Sequence, residues 1–213
     1  MAMYGSTAGL AGARRARAAW PLGLVALGIV MGIVAAAATA RATVMIEIPF
    51  ERLVGESDAI VHGRVIRTGS RLVANEGEGG YFTPHTLTEI EVYEPIRGRV
   101  GERIVVDEIG GAYQGGGMWI EGTPRYRRGE ELVVFLRALP DGHFRTHGMA
   151  QGHFEIRPGL AGVEPVVVRD TSAIGMASWS HGPMELQPGT VATMPLAAFL
   201  DYVRDLVAAG GAR

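Results

Sequence analysis

Residues 83–98, TPHTLTEIEVYEPIRG, put Thr88, Ile90 and Val92 on one side and Glu89 and Glu91 on the other, a strict period of two. Only an extended strand with one buried face uses that period. A single half-buried strand has no fold of its own, so the constraint passes to the rest of the chain, which must supply partners. It does so at DAIVHGRVIRT (58–68), where Val61, Gly63 and Val65 oppose Ile60, His62, Arg64 and Ile66, and at ERIVVDEI (102–109) and EPVVVRD (164–170). EELVVFLRAL (130–139) is nearly continuous apolar and reads as a central strand buried on both faces. The 31 glycines in 213 residues are about twice the average share of ~7% and favour tight turns between short strands. RGRVG turns one strand into the next, GGAYQGGG (110–117) forms a loop, and MWIEG (118–122) reads as a short strand. PDGHFRTHGMAQGHFEIRPG (140–159) reads as a hairpin kinked between Gly148 and Gly152.

Helical spacing occurs twice. Ile48, Phe50, Leu53 and Val54 share a face after Pro49, and Leu196, Phe199, Leu200, Val203, Leu206 and Val207 form the stripe of a closing helix between Pro195 and Gly210. The expected fold class is all-β with minor α: a small antiparallel barrel over 43–169, an irregular polar segment over 170–194, and a helix over 195–209.

Residues 1–42 read as an export signal: Arg14, Arg15 and Arg17, an uncharged apolar run from Leu22 to Val34, and small residues for cleavage after Ala40 or Ala42. A retained anchor is the alternative, since the uncharged stretch from Ala18 to Ala40 reaches the ~20 residues of a bilayer span. Either reading places the remainder outside the cytoplasm, periplasmic, extracellular or tethered to the membrane through this segment alone. Its removal takes four arginines and no acid, so the 20 basic and 22 acidic side chains become 16 and 22, a net of −6. An acidic surface repels phosphate backbones and argues against a nucleic-acid partner. The basic stretch PRYRRG (124–129) reads as a solvated turn. With no cysteine, thiol catalysis, thiolate metal sites and disulfides are excluded.

Several side-chain groups suggest chemistry. Ser57, Asp58 and His62 have the residue types of a hydrolase triad, but on a strand Asp58 and His62 lie about 13 Å apart at ~3.3 Å per residue, beyond hydrogen-bond reach. No G-x-S-x-G elbow occurs elsewhere. His143, His147 and His153 have the type and density of metal ligands, yet strand geometry separates them and no H-E-x-x-H pattern accompanies them. Glu89 and Glu91 match the solvent face of their strand rather than a carboxylate pair. GGAYQGGG lacks the Lys-Ser/Thr of a phosphate loop; as a barrel-mouth loop it would place Tyr113 and Trp119 at a binding surface.

LVGESDAIVHGRV, TEIEVYEPIRG, IVVDEIGG, RRGEELVVFL and GMAQGHFEI, within residues 53–157, together with the tail MPLAAFLDYVRDLV, resemble a family of uncharacterised exported bacterial proteins. The strand pattern is also similar to the oligonucleotide/oligosaccharide-binding (OB) barrel of netrin modules and tissue inhibitors of metalloproteinases. That resemblance implies an OB-like barrel. The inhibitors' approach to zinc through an N-terminal cysteine does not transfer to a cysteine-free chain. The expectation is an exported, non-catalytic barrel that binds a protein or envelope partner through its loops, without a cofactor. A periplasmic metal-binding protein using His143, His147 and His153 is the alternative, and a hydrolase assembled from distant loops a further one.

Overall fold

The period-two segments close on one another. β2 (Ala59–Ala74) and β3 (Phe82–Arg97) make a long antiparallel pair, and β4 (Arg103–Ile109) adds to β3. β7 (Glu131–Ala138) adds to the other edge of β2. β8 (Phe144–Thr146) then closes the ring, antiparallel to the end of β7 and parallel to β4 through Val106 and Phe144. The circuit β2–β3–β4–β8–β7 is an OB-like barrel, and its β4–β8 seam is short, so closure is partial. This computed structural model describes residues 43–74, 81–159, 163–179 and 182–210. The segment 1–42, expected from the sequence to be an export signal, and the NEGEGG stretch at 75–80 lie outside the described residues. Among the described residues, no helix is long and apolar enough to cross a membrane.

β7 carries the architecture because both its faces are buried. Leu132, Val134 and Leu136 point into the barrel with Val61, Val65, Ile90, Ile104, Val106 and Tyr126. Val133 and Phe135 point the other way, into a second core built with α1 (Phe50–Glu56) and α2 (Leu196–Gly210). That second core is aromatic: the Phe50 ring meets Phe135, Phe154 and Phe199 at centroid distances of 5.7, 6.0 and 5.9 Å. The stripe read from sequence for α2 is the face that packs there: Phe199, Leu200 and Val203 are buried, and Leu196, Leu206 and Val207 lie against them.

Beyond the barrel, the 140–159 hairpin turns at Pro140–Gly142 and kinks through a short 3-10 turn, Met149–Gly152, into β9 (His153–Arg157). β9 stays beside β7, and β10 (Val166–Asp170) and β13 (Val191–Pro195) extend the sheet outward. The glycine loop is a hairpin, β5 (Gly111–Tyr113) with β6 (Gly116–Met118). Its turn at Gln114 and Gly115 has φ of 47° and 81°, the positive pair that two-residue hairpins require. The short strand read at MWIEG therefore ends at Met118, and Trp119 leads into a turn in which the Thr123 amide bonds to Ile120 O.

The segment 170–194 is not irregular. It supplies β11 (Ile174–Ser178), β12 (Glu185–Pro188) and β13, with β11 also pairing in parallel with β1 (Thr43–Ile46). Glycine, serine and proline break its apolar alternation, and one of the two partners of β11, β1, lies some 130 positions away, so no local pattern announces these strands.

Candidate functional site

Alternation along β4 sends adjacent acids to opposite sides of the barrel wall. Ile104, Val106 and Glu108 face inward, and Asp107 faces outward. Glu108 is 4% exposed at one end of the barrel interior. Its Oε1 accepts the Thr146 backbone amide at 2.9 Å, and the Thr146 hydroxyl lies 2.5 Å from the buried Tyr126 hydroxyl. Burial pushes the Glu108 carboxyl above the usual carboxylate range; bonds from Thr146 and the charge of Arg145 offset this in part. Burial, and then the Glu108 charge, push the Tyr126 phenol well up. Burial therefore penalises the charged form of each.

Above this trio lies a cleft of about 240 Å³ between β2, β3, the end of β4 and the 119–126 turn, with Ser70, Thr86, Thr123, Trp119 and Arg125 on its walls. The β5–β6 hairpin sits against its rim. Gly111, at φ 146°, lies so close to β2 and β3 that a Cβ there would be 2.6 Å from Thr86 Oγ1 and 2.7 Å from Ser70 Oγ, so this position needs glycine. Trp119 is 58% exposed, and the Arg125 guanidinium sits 4.7 Å from its ring centroid. Of the two aromatics expected at a contact surface, Trp119 lines the cleft. Tyr113 stands half-buried on the adjoining hairpin, outside the cleft wall. The PRYRRG stretch is more than a solvated turn: Arg125 covers Trp119, and Tyr126 plugs the barrel.

A cleft with one buried carboxyl, a tyrosine and several hydroxyls can donate and accept hydrogen bonds. Among the described residues it does not hold a second carboxylate with which Glu108 could split acid and base roles. Glu89 and Glu91 do not supply one either. They face outward, where Glu89 pairs with Arg67 at 2.9 Å and Arg103 at 3.5 Å.

Ser57, Asp58 and His62 are not brought together. Asp58 Oδ2 accepts the Ala138 amide at 2.9 Å, and His62 pairs with Glu131 at 2.9 Å. Ser57 meets a different histidine: its Oγ is 3.0 Å from His147 Nδ1, a contact across 90 positions that no local spacing reveals. The proton inventory decides what this pair can do. The Ser57 hydroxyl donates to Leu53 O at 2.6 Å, so His147 Nδ1–H is the donor to Ser57 Oγ. A histidine that donates to the serine is not its base. Burial, then the Arg137 charge, lower the His147 pKa and favour this neutral form. Ser57 is also 1% exposed. The pair is a clasp between α1 and the end of β8.

His143, His147 and His153 do not gather on one metal either. His153 pairs with Glu130 at 2.9 Å, and His147 holds Ser57. His143 alone joins a group with ligand character: with Asp107 and Asp141 it places donor atoms within 4.8 Å of one another, and His85 Nδ1 lies 2.5 Å from Asp107 Oδ1. That donor set suits zinc or nickel. Against it, the guanidiniums of Arg71 and Arg145 lie 3.4 and 3.9 Å from the Asp107 carboxylate, where they neutralise it and repel a cation.

No family model matches this chain, and no characterised protein is significantly similar to it.

Proposed function

We infer that the chain is an exported, non-catalytic binding protein whose barrel mouth holds a segment of a protein or envelope partner. The carrying observation is the cleft beside Trp119: an exposed indole with Arg125 stacked on it, over a floor of hydroxyls and the buried Glu108 carboxyl. Aromatic and arginine side chains of this kind supply most of the energy of protein contacts. The N-terminal sequence supports export, and the resemblance to exported bacterial proteins agrees with it.

Photo-crosslinking in the native envelope tests this. A photoreactive residue at 119 is expected to give one discrete adduct that Arg125→Ala removes, and the same probe at Asp205 on α2 is expected to give none. Adducts of equal strength from both positions would refute the site. Turnover by the purified protein on ester, peptide or phosphoester panels, abolished by Glu108→Gln, would replace the reading with an enzymatic one.

The convergence of Asp107, Asp141 and His143 favours a second reading, a metal-binding protein. Elemental analysis of protein purified without a His-tag separates the two: zinc, copper or nickel below about a tenth of an equivalent removes the metal reading.

A further inference from the structure

The sheet β1–β11–β12 turns one face inward and on the other exposes the aliphatic side chains of its two outer strands, which cover Gly175 and Ala177 of the central one. Met45 and Ile174 point inward against the turn at Gly122, where a built Cβ would lie 2.9 Å from Met45 Sδ and 3.3 Å from Ile174 Cγ2. Alternation sends Val44 and Ile46 to the opposite face. The register completes that face: Val44 lies beside Gly175 and Pro188, and Ile46 beside Ala177 and Leu186. Val44 and Leu186 converge over Gly175, since a Cβ there would be 3.5 Å from each. These six residues carry no charge, and Val44, Ile46 and Leu186 are 50%, 63% and 60% exposed. Where β11 leads into β12, Trp179 and Met184 are exposed as well, at 51% and 60%.

A contiguous apolar face of this kind marks a contact surface. The sequence says what it contacts. Val44 follows Val34, the last residue of the apolar N-terminal run, by ten positions. An extended chain spans at most ~3.6 Å per residue, so Val44 stays within about 35 Å of that run. A run inserted in a bilayer would tether β1, and with it this face, within that reach of the membrane surface. Its chemistry fits the same surface: aliphatic side chains without charge, and a tryptophan at the rim, the residue enriched at the headgroup level of membranes. We propose that the Val44–Ile46–Leu186 face lies on a lipid bilayer and dips its aliphatic side chains into the headgroup–acyl boundary, with Trp179 at the interface.

Residues Ala42–Arg213 form a compact unit with both cores inside it, so protein starting at Thr43 tests the face without the apolar run. In that protein Trp119→Phe leaves Trp179 as the reporter. The expected results are co-sedimentation with phosphatidylcholine vesicles and a blue shift of Trp179 emission. Salt should abolish neither, because the face carries no charge, and added phosphatidylglycerol should strengthen neither, because residues 43–213 are net acidic. Ile46→Asp with Leu186→Asp should weaken partitioning roughly tenfold or more. Val163→Asp, at an equally exposed apolar position elsewhere, should leave it unchanged. Ile46→Ser with Leu186→Ser, melting like the parent, guards against loss through misfolding. Absence of a blue shift, or binding abolished by salt, would overturn the proposal. So would a concentration-dependent dimer in sedimentation equilibrium that Ile46→Asp dissolves, which would assign the face to a second copy.

Discussion

The barrel and the β1–β11–β12 sheet are made of similar strands and reach opposite ends. Barrel strands roll until their apolar faces meet, and Val61, Ile90, Val106 and Leu132 lose all access to water. The three-stranded sheet buries Ile174 on its inner face. On its outer face only the small residues of the central strand, Gly175 and Ala177, are covered, and Val44, Ile46 and Leu186 stay half exposed or more. The number of layers makes the difference. β7 has a layer on each side, the barrel interior and the aromatic cluster under the helices, whereas the small sheet has a layer on one side only. Apolar residues of equal hydrophobicity should therefore differ widely in their energetic weight.

The largest break in that comparison comes from Phe135, fully buried and in edge contact with Phe50. Phe135→Ala should cost about 3–5 kcal/mol from lost burial and the cavity left behind. Thermal melting should then fall by about 10 °C or more. A shift of a degree or two would mean that β7 is not the shared wall of two cores.

Next in size is Glu108, a polar group on the barrel side. Its folded pKa lies above the unfolded value of 4.5, so the fold binds the proton more tightly than the unfolded chain does. Its favourable contribution is complete below pH 4.5 and is lost as pH rises through the raised value. Glu108→Gln keeps an acceptor for the Thr146 amide without a charge to desolvate. It should gain about 1 kcal/mol at neutral pH and flatten this part of the stability–pH curve. Chemical denaturation at several pH values reads both effects, and equal loss at every pH would contradict the assignment.

The Ser57–His147 clasp has the reverse sign. The His147 pKa is lowered, so the stability it supplies is present above its unfolded value of 6.5 and lost as pH falls through the folded one. Ser57→Ala removes both of the serine's hydrogen bonds, and about 1 kcal/mol should go with them at pH 8. Denaturant titration of Ser57→Ala alongside His147→Gln sharpens the comparison, since only the second should also remove the slope below pH 6.5.

The smallest effects belong to the exposed regions. Leu186→Ser on the open sheet should change folding stability by less than about 0.5 kcal/mol. Arg204→Ala, which breaks the exposed pair with Glu94 at 2.8 Å, should cost less than about 1 kcal/mol, and less still in high salt. A loss of 2 kcal/mol from Leu186→Ser would show that the face is covered within the folded chain.

Most of the barrel was legible because its strands declare themselves locally. TEIEVYEP alternates, EELVVFLRAL is apolar throughout, and the α2 stripe repeats at helical spacing; each pattern reports which faces are buried before any partner is known. β11 to β13 were not legible, because Gly175, Pro188 and Pro195 interrupt the pattern and β13 is exposed along its whole length. Trp119 was legible as an aromatic beside a glycine hairpin. Glu108 was within reach too: two in-facing residues, Ile104 and Val106, set the phase that sends it inward. The Ser57–His147 pair left no trace, since nothing local relates positions 90 apart.

The sequence by itself determined the secondary elements that alternate or repeat, the two-sided burial of β7, the absence of thiol chemistry and the acidic balance of residues 43–213. These depend on the side chain and its near neighbours. Tertiary structure decided which polar groups meet: it sent Glu108 in and Asp107 out, gave each of the three loop histidines a separate partner, and turned a serine–histidine contact into a clasp by fixing which atom donates. Those outcomes depend on distances between segments far apart in the chain, which strand register sets and residue order does not contain.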